Sequence, residues 1–371
     1  MTGDYDIQFI MESMEDELIA SYRRNLARHT AEEIKEGFQW PMWQLLKLKD
    51  LHGFDRKAAE IVKKYGGKAN REAEKAVDEG FRGGALHADE LLHKYGIDVD
   101  DINGGGFFKA NQYQISALEQ AIRNDLNNAG NAVLRMSDDV YRQTVFKAQM
   151  FYTSGVSSLW KAIDMANKGF LDRGYQCVQY KNGNRVNVAS YAEMCLRTSK
   201  KKANMSGEGR RAAEYGVTLC QVTQYSACSP TCLPWQGRVY VDDVYADGQP
   251  DGKHPLLSEA IAGGLFHPNC RHGKQPYFEG VSQLLKPLDE PEIGENYEAE
   301  ERQREIERNI RRFKRRAEGS LDRENQKQAL VKVKQWQSEM RKHLKENPQL
   351  RRSYIREQIS DFGRNPLYNR E

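Results

Sequence analysis

Apolar residues recur at helical spacing from the start of the chain, where Ile7, Ile10, Met14, Leu18 and Tyr22 form one stripe. That spacing predicts an amphipathic helix. From 5 to about 94 the pattern stays helical and is broken by glycines and prolines, which predicts a lead-in of short helices. Trp40, Trp43, Leu46 and Leu51 add aromatic and aliphatic bulk at the same intervals and read as packing residues. The run Gly104-Gly105-Gly106 has no strand before it and no helix after it, so it reads as a flexible connection rather than a phosphate loop. A long amphipathic helix is predicted over 139–168, with Val140, Val145, Ala148, Tyr152, Val156, Leu159, Trp160 and Ile163 on its apolar face and Gly155 as an interruption.

The period then changes. Residues 178–180 and 185–188 flank Lys181-Asn182-Gly183-Asn184, a hairpin signal in which Asn-Gly tolerates the positive φ of a tight turn. A helix follows over 189–214, then an alternating strand over 217–225 and another over 238–241. After about 285 comes an acidic Pro/Gly linker (Asp289, Glu290, Pro291, Glu292, Gly294, Glu295), and then charged helices with narrow stripes. Ile306, Ile310 and Phe313 form one stripe, and Leu330, Val333, Trp336, Met340 and Leu344 the other. These elements predict a mostly α, α+β protein in three regions. They are a helical N-terminal region (1–135), a small central α/β domain (136–285), and an acidic linker with a charged helical C-terminal arm (286–371).

Composition narrows the class. Hydrophobic residues make up 39% and charged residues 29% of 371, with a mean hydropathy of −0.80. The longest apolar runs, such as 260–266, fall far short of the roughly 18 residues that a membrane span needs. No membrane association is expected. The first residues carry Asp4, Glu12, Glu15, Asp16 and Glu17 where a secretory leader would be basic and then apolar, so the chain is expected to stay in the cytoplasm of the cell that makes it. The net charge of +3 is uneven, since residues 301–371 hold 20 Lys+Arg against 11 Asp+Glu and the remainder 36 against 42. A tail of +9 on a body of −6 predicts an extended basic arm for an acidic partner, with a solvated helix face as the plainer alternative.

Six cysteines are too few for a disulfide framework, and four of them (Cys220, Cys228, Cys232, Cys270) fall within 51 residues. The string from Cys228 to Gly237, with Cys232, Trp235 and Gln236, is followed some thirty residues later by His267-Pro268-Asn269-Cys270-Arg271-His272. A tetrahedral zinc site takes four thiolate or imidazole ligands as two close pairs joined by a loop. Cys228-x3-Cys232 with His267-x2-Cys270 meets that spacing, and His272 can replace His267. The plainer reading makes both cysteines buried small hydrophobes and the His267 to His272 run a hydrogen-bonded turn. A third makes Cys270 and His272 a nucleophile and its base. A metal-dependent nuclease would need acidic ligands, for which Asp242, Asp243 and Asp247 qualify only by proximity. Trp235 and Arg271 are assigned to the fold, the indole to a core and the guanidinium to backbone carbonyls or a carboxylate.

These strings resemble the phage minor capsid protein 2 family and, more distantly, the Mu F-like head morphogenesis proteins. The resemblance rests on Val222, on 235–240 (Trp-Gln-Gly-Arg-Val-Tyr), on Gly264-Leu265, on Asn269-Cys270-Arg271-His272, and on 276–280. It extends upstream to Tyr152-x2-Gly155, Ala162-Ile163, the 179–188 hairpin and Arg197-Thr198-Ser199, so it covers about 140–280. The polar loop departs from the family: Cys232 stands where relatives often have a histidine, and Cys228-Ser229-Pro230 where they have Ala-Arg-Pro. A Cys-for-His exchange keeps a metal-ligating atom at 232 and weakens any family-wide role for Cys228. The resemblance implies a structural, non-enzymatic virion protein of a tailed bacteriophage, made in the host cytoplasm. It implies a place inside the head near the portal protein and other head proteins, a part in head morphogenesis and DNA packaging, and in some relatives contact with packaged double-stranded DNA. The alternative is a zinc-dependent nuclease or thiol hydrolase, which needs an open coordination position or a polar cleft at Cys270.

Overall fold

The computed structural model describes residues 4–28, 40–102, 106–155, 158–180 and 182–359. Gly104 and Gly105 of the glycine connection, Val156 of the predicted apolar face, Lys181 of the hairpin turn, 360–371 of the arm and the side chain of Trp40 lie outside them. Among the described residues the chain forms α1 (Asp4–Ala27), α2 (Trp40–Lys94), α3 (Phe107–Ala110), α4 (Gln112–Thr153), α5 (Leu159–Arg173), β1 (Val178–Gln179) and β2 (Arg185–Val186). It continues with α6 (Val188–Glu214), β3 (Leu219–Val222), β4 (Val239–Val241), α7 (Leu257–Ala262), β5 (Lys274–Pro276), α8 (Glu290–Gly319), α9 (Arg323–Glu346) and a 3-10 turn (Ile355–Glu357). The protein is therefore a mostly helical α+β fold with two small antiparallel sheets, β1-β2 and β4-β3-β5. None of its described helices is long and apolar enough to cross a membrane.

The chain divides into two interleaved units: 1–69, 126–193 and 302–371 form the first, and 70–125 and 194–301 the second. These units do not follow the three consecutive regions read from the sequence. Composition changes along the chain, whereas packing joins stretches far apart in it.

In the first unit Tyr22 on α1 meets Phe170 on α5 edge-on at 5.5 Å and Tyr141 on α4 at 6.1 Å. Phe54 on α2 stacks on Tyr141 at 5.0 Å. Such pairs fix helix spacing as well as burying apolar area. Glu15 on α1 is buried and accepts the Tyr175 N–H at 2.7 Å and Asn187 Nδ2 at 2.9 Å. The predicted helix over 139–168 is two helices, because Gly155 takes φ 92° and Ser158 caps α5 by accepting the Lys161 N–H. In the hairpin Val178 pairs with Val186, and Gly183 supplies the positive φ of 84°.

The C-terminal arm is not extended but belongs to the core of the first unit. Ile306, Ile310 and Met340 are buried with Trp336 and Leu344 packed against them. Its basic run is spent on internal partners. Arg312 and Arg316 bond the Asp172 carboxylate, Arg315 the carbonyls of Leu171 and Asp172, and Lys314 the Glu357 carbonyl at 2.6 Å. Buried Asp164 accepts the backbone N–H groups of Leu321 and Asp322, tying the α8–α9 turn to α5. The charges cluster because buried backbone carbonyls and carboxylates need donors, which net charge alone does not reveal. The expected acidic linker is likewise the first turn of α8, where carboxylates favour the positive helix end and Pro291 needs no amide proton.

The clearest departure from the predicted lead-in is α2. Instead of short helices, α2 runs unbroken for 55 residues through Gly53, Gly66, Gly80 and Gly84. Two of these glycines lie where α6 touches α2: a Cβ at Gly84 would meet the Asn204 carbonyl oxygen at 1.9 Å, and one at Gly80 the Lys200 oxygen at 2.7 Å. On α6 a Cβ at Gly207 would meet the Phe81 oxygen at 2.0 Å. The glycines are contact surfaces, not helix breaks.

Candidate metal centre

The three-stranded sheet organises the site. β3 pairs Cys220 with Tyr240 of β4 and with Pro276 of β5, and Val222 with Lys274. The strands are shorter than the alternation predicts because their flanks turn to side chains: Thr223 Oγ1 takes the Gly273 N–H at 2.8 Å and Gln236 Oε1 the Tyr225 N–H at 2.9 Å. β5 has little strand signal, since it carries a lysine and a proline, and Pro276 is tolerated because this is an edge strand.

Two connections converge beside the sheet. In the first, Cys228 and Cys232 sit on successive turns, with the Cys232 N–H donating to the Ser229 carbonyl at 3.0 Å. In the second, the Cys270 N–H donates to the His267 carbonyl at 2.9 Å, and Phe266 and Asn269 adopt positive φ of 56° and 69°. Cys232 Sγ lies 3.5 Å from Cys270 Sγ, which lies 3.3 Å from His272 Nδ1. One ligand atom from each of the three falls within 4.8 Å of the others, and all three residues are buried. Cys228 is buried in the same apolar cluster, its thiol facing the Ser229 carbonyl at 3.2 Å.

His267 is placed differently. Its Nδ1 meets the Pro268 carbonyl at 2.7 Å and its Nε2 the Ser229 hydroxyl at 2.8 Å, so both ring nitrogens are engaged. The three aspartates also go elsewhere. Asp242 pairs with Lys274, Asp243 caps the Ser258 N–H, and Asp247 bonds Arg210. Among the described residues the cluster of metal-ligating groups is thus Cys232, Cys270 and His272.

Hydrogen bonding fixes the tautomer of His272. Gln236 Oε1 accepts a backbone N–H, so that atom is oxygen, and His272 Nε2 at 2.9 Å must donate to it. Nδ1 therefore carries the lone pair on the side facing Cys270. Cys270 is the sulfur better able to hold a negative charge: the Cys232 thiol, the His272 backbone N–H and nearby Lys201 hold it well below the usual thiol range despite burial. The same shared proton raises Cys232. Gln236 stands in the 235–240 string, but its role toward His272 shows only once the loops pair, and Lys201, which donates to the Cys270 carbonyl, stands in no motif.

Trp235 is half-buried against this cluster, and a Cβ at Gly263 would meet its ring at 2.3 Å, so the indole lies directly on that glycine. Its Nε1 has no hydrogen-bond partner among the described residues. We expect Trp235→Ala to cost about 3 kcal/mol, the low end for a large aromatic because the ring is only partly covered; urea unfolding of the two proteins measures the difference. Arg271 meets Tyr225 Oη at 2.5 Å and Glu300 Oε1 at 3.4 Å, as its assignment to the fold predicts.

Comparison with known proteins agrees with these strings. A structural protein of Lactococcus phage LL-H is 27% identical over 239 residues, covering 62% of this chain and 63% of that protein. The chain thus spans less than two thirds of that relative's length. A structural protein of Lactococcus phage mv4 is 36% identical over 117 residues, covering 30% of this chain and 95% of that protein. No solved structure matches. The family profile described as phage minor capsid protein 2 matches residues 6–345, nearly the whole length, and the chain therefore belongs to that family of phage structural proteins.

Proposed function

We propose that the protein is a non-enzymatic structural component of the phage head interior, next to the portal, which takes part in head morphogenesis and touches packaged double-stranded DNA without reading its sequence. The observation that carries the DNA contact is the outer face of α9. Arg323, Lys327, Lys334, Arg341 and Lys345 are all exposed, and at about 100° per residue they fall within about 40° of one another along about 33 Å of helix. No carboxylate shares that face; Glu324, Glu339 and Glu346 point elsewhere around the helix. A straight row of cations suits a phosphate backbone, where each neutralised phosphate releases a counterion.

Removing the arm would also remove part of the first unit's core, so the informative variant keeps the helix. With these five residues changed to glutamine, duplex-DNA affinity should fall, and the slope of log affinity against log salt should flatten by up to about 4. Anisotropy titrations at two salt concentrations measure both. An unchanged slope would remove DNA from the reading. The position in the particle is tested separately, by whether protease reaches the protein in intact virions or only after DNA release.

One observation favours the rival thiol hydrolase: Cys270, His272 and Gln236 stand in the order of nucleophile, base and orienting amide. Burial weighs against it, since Cys270 is 7% and His272 2% exposed, which leaves little of the sulfur's surroundings open to a substrate carbonyl. A cavity of about 670 Å³ in the first unit is lined by Asp164, Phe313 and Arg316.

A further inference from the structure

We propose that Cys232, Cys270 and His272, closed by Cys228, bind one zinc ion that clamps the Cys228–Cys232 turns to the His267–His272 turn. This goes beyond the role in the head and does not depend on where in the particle the protein sits. Zinc–sulfur bonds of about 2.3 Å at a tetrahedral angle put two sulfurs about 3.8 Å apart, and Cys232 and Cys270 stand at 3.5 Å. The imidazole is already prepared. Its Nε2–H is held by Gln236, the outer-shell arrangement that fixes the tautomer of a ligating histidine, and its Nδ1 lone pair faces the thiols. The His272 backbone N–H donates to Cys270 Sγ at 3.3 Å, as a thiolate ligand requires.

The donor set also selects the metal class. Two or three sulfurs with one imidazole, and no carboxylate among them, suit zinc rather than magnesium or calcium. Cys228 is the fourth ligand of the proposed site because it is buried in the same cluster, four residues before Cys232, with its thiol on the Ser229 carbonyl. Binding would require that side chain to turn from the carbonyl toward the pair. Each thiol that binds releases its proton to solvent, so no other reactant is needed.

The test uses the full chain purified under reducing conditions. Elemental analysis should find one zinc per chain, and cobalt added to the chelator-stripped protein should give the intense sulfur-to-cobalt charge-transfer and tetrahedral d–d bands. Cys270→Ser and His272→Ala should lose the metal, while His267→Ala and Cys177→Ser should keep it. Cys228→Ser should weaken binding by at least about 100-fold, as loss of a ligand does more than loss of an outer-shell partner. Should Cys270→Ser fail to fold, the cobalt spectrum of the unmutated protein and the His267→Ala result still decide. Failure of that protein to bind zinc or cobalt stoichiometrically overturns the proposal, as do spectra without a sulfur band. Cys228→Ser retaining full affinity overturns the closed four-ligand site. None of these results bears on DNA binding by α9.

Discussion

Alanine at Gly84 or Gly207 is expected to destabilise the second unit by about 3 kcal/mol, the upper end for overpacking a close contact. Each added methyl would fall about 2 Å from a backbone oxygen of the facing helix, 1.9 Å for Gly84 and 2.0 Å for Gly207. Backbone cannot rotate aside as a side chain does, so α2 and α6 must separate, and every contact along their crossing weakens. Gly83, on the same helix and in the same unit, provides the comparison. A Cβ there meets nothing within 4 Å, and Gly83→Ala should stabilise slightly through the gain in helix propensity. Trp235 is the one tryptophan in the second unit's sequence, so its fluorescence, with the other four replaced by phenylalanine, reports denaturant midpoints for all three variants. Equal midpoints for Gly84→Ala and Gly83→Ala would sink the account of the crossing.

Lys274→Met should cost about 3 to 5 kcal/mol, the range for breaking a buried ion pair from one side. The ammonium lies 2.8 Å from Asp242 Oδ2 and 3.4 Å from Glu208 Oε2, with all three side chains 1–2% exposed. Removing the cation leaves two buried carboxylates without their shared counter-charge, Glu208 facing His87 at 2.8 Å and Asp242 accepting the Tyr245 N–H at 2.9 Å. Burial alone would lower the lysine's pKa, but the attraction of Glu208 and Asp242 overcomes it and holds the value above the ordinary 10.5. A raised folded value means the stabilisation is complete below the unfolded one and is lost only as pH climbs past the elevated one. Stability of the unmutated protein should therefore show no loss from this group up to about pH 10. Guanidine titrations of both proteins measure the difference. A cost below about 1 kcal/mol would mean the carboxylates find other donors.

What the sequence revealed follows from the range of each signal. The stripe of Ile7, Met14, Leu18 and Tyr22 is local, and all four are buried on α1 as the spacing predicts. The Asn182-Gly183 turn is local too and forms the hairpin. Gly80 and Gly84 misled because a glycine that lets two backbones touch looks, in one sequence, like a glycine that ends a helix. The basic run 311–316 misled for a related reason: its partners, Asp172 and the Glu357 carbonyl, lie far away or on backbone, where charge counting does not reach. In the candidate site, spacing identified Cys232 and Cys270 and left His267 and His272 open. The structure separates the histidines because only His272 has its free nitrogen turned toward the sulfurs. Lys201, Glu208 and Lys274 carry no pattern of their own, since each acts through a partner from another segment.

The interleaving of the two units sets an order of events during synthesis. All of the second unit's sequence exists once residue 301 has been made, so its sheet, its glycine crossing and its buried lysine can close on a growing chain. The first unit must wait. Glu15 is made early, yet it stands within 4.0 Å of Arg315, 300 residues later, and the cover over the apolar stripes of α8 comes from α9. Until that last stretch emerges, Ile7, Met14, Leu18 and Tyr22 have only part of their packing. The interval between those two completions is when a nascent chain exposes apolar surface, and contacts this distant in sequence close slowly. A newly made copy therefore passes through a stage with one unit folded and the other still open, before it can present a finished α9 to any partner.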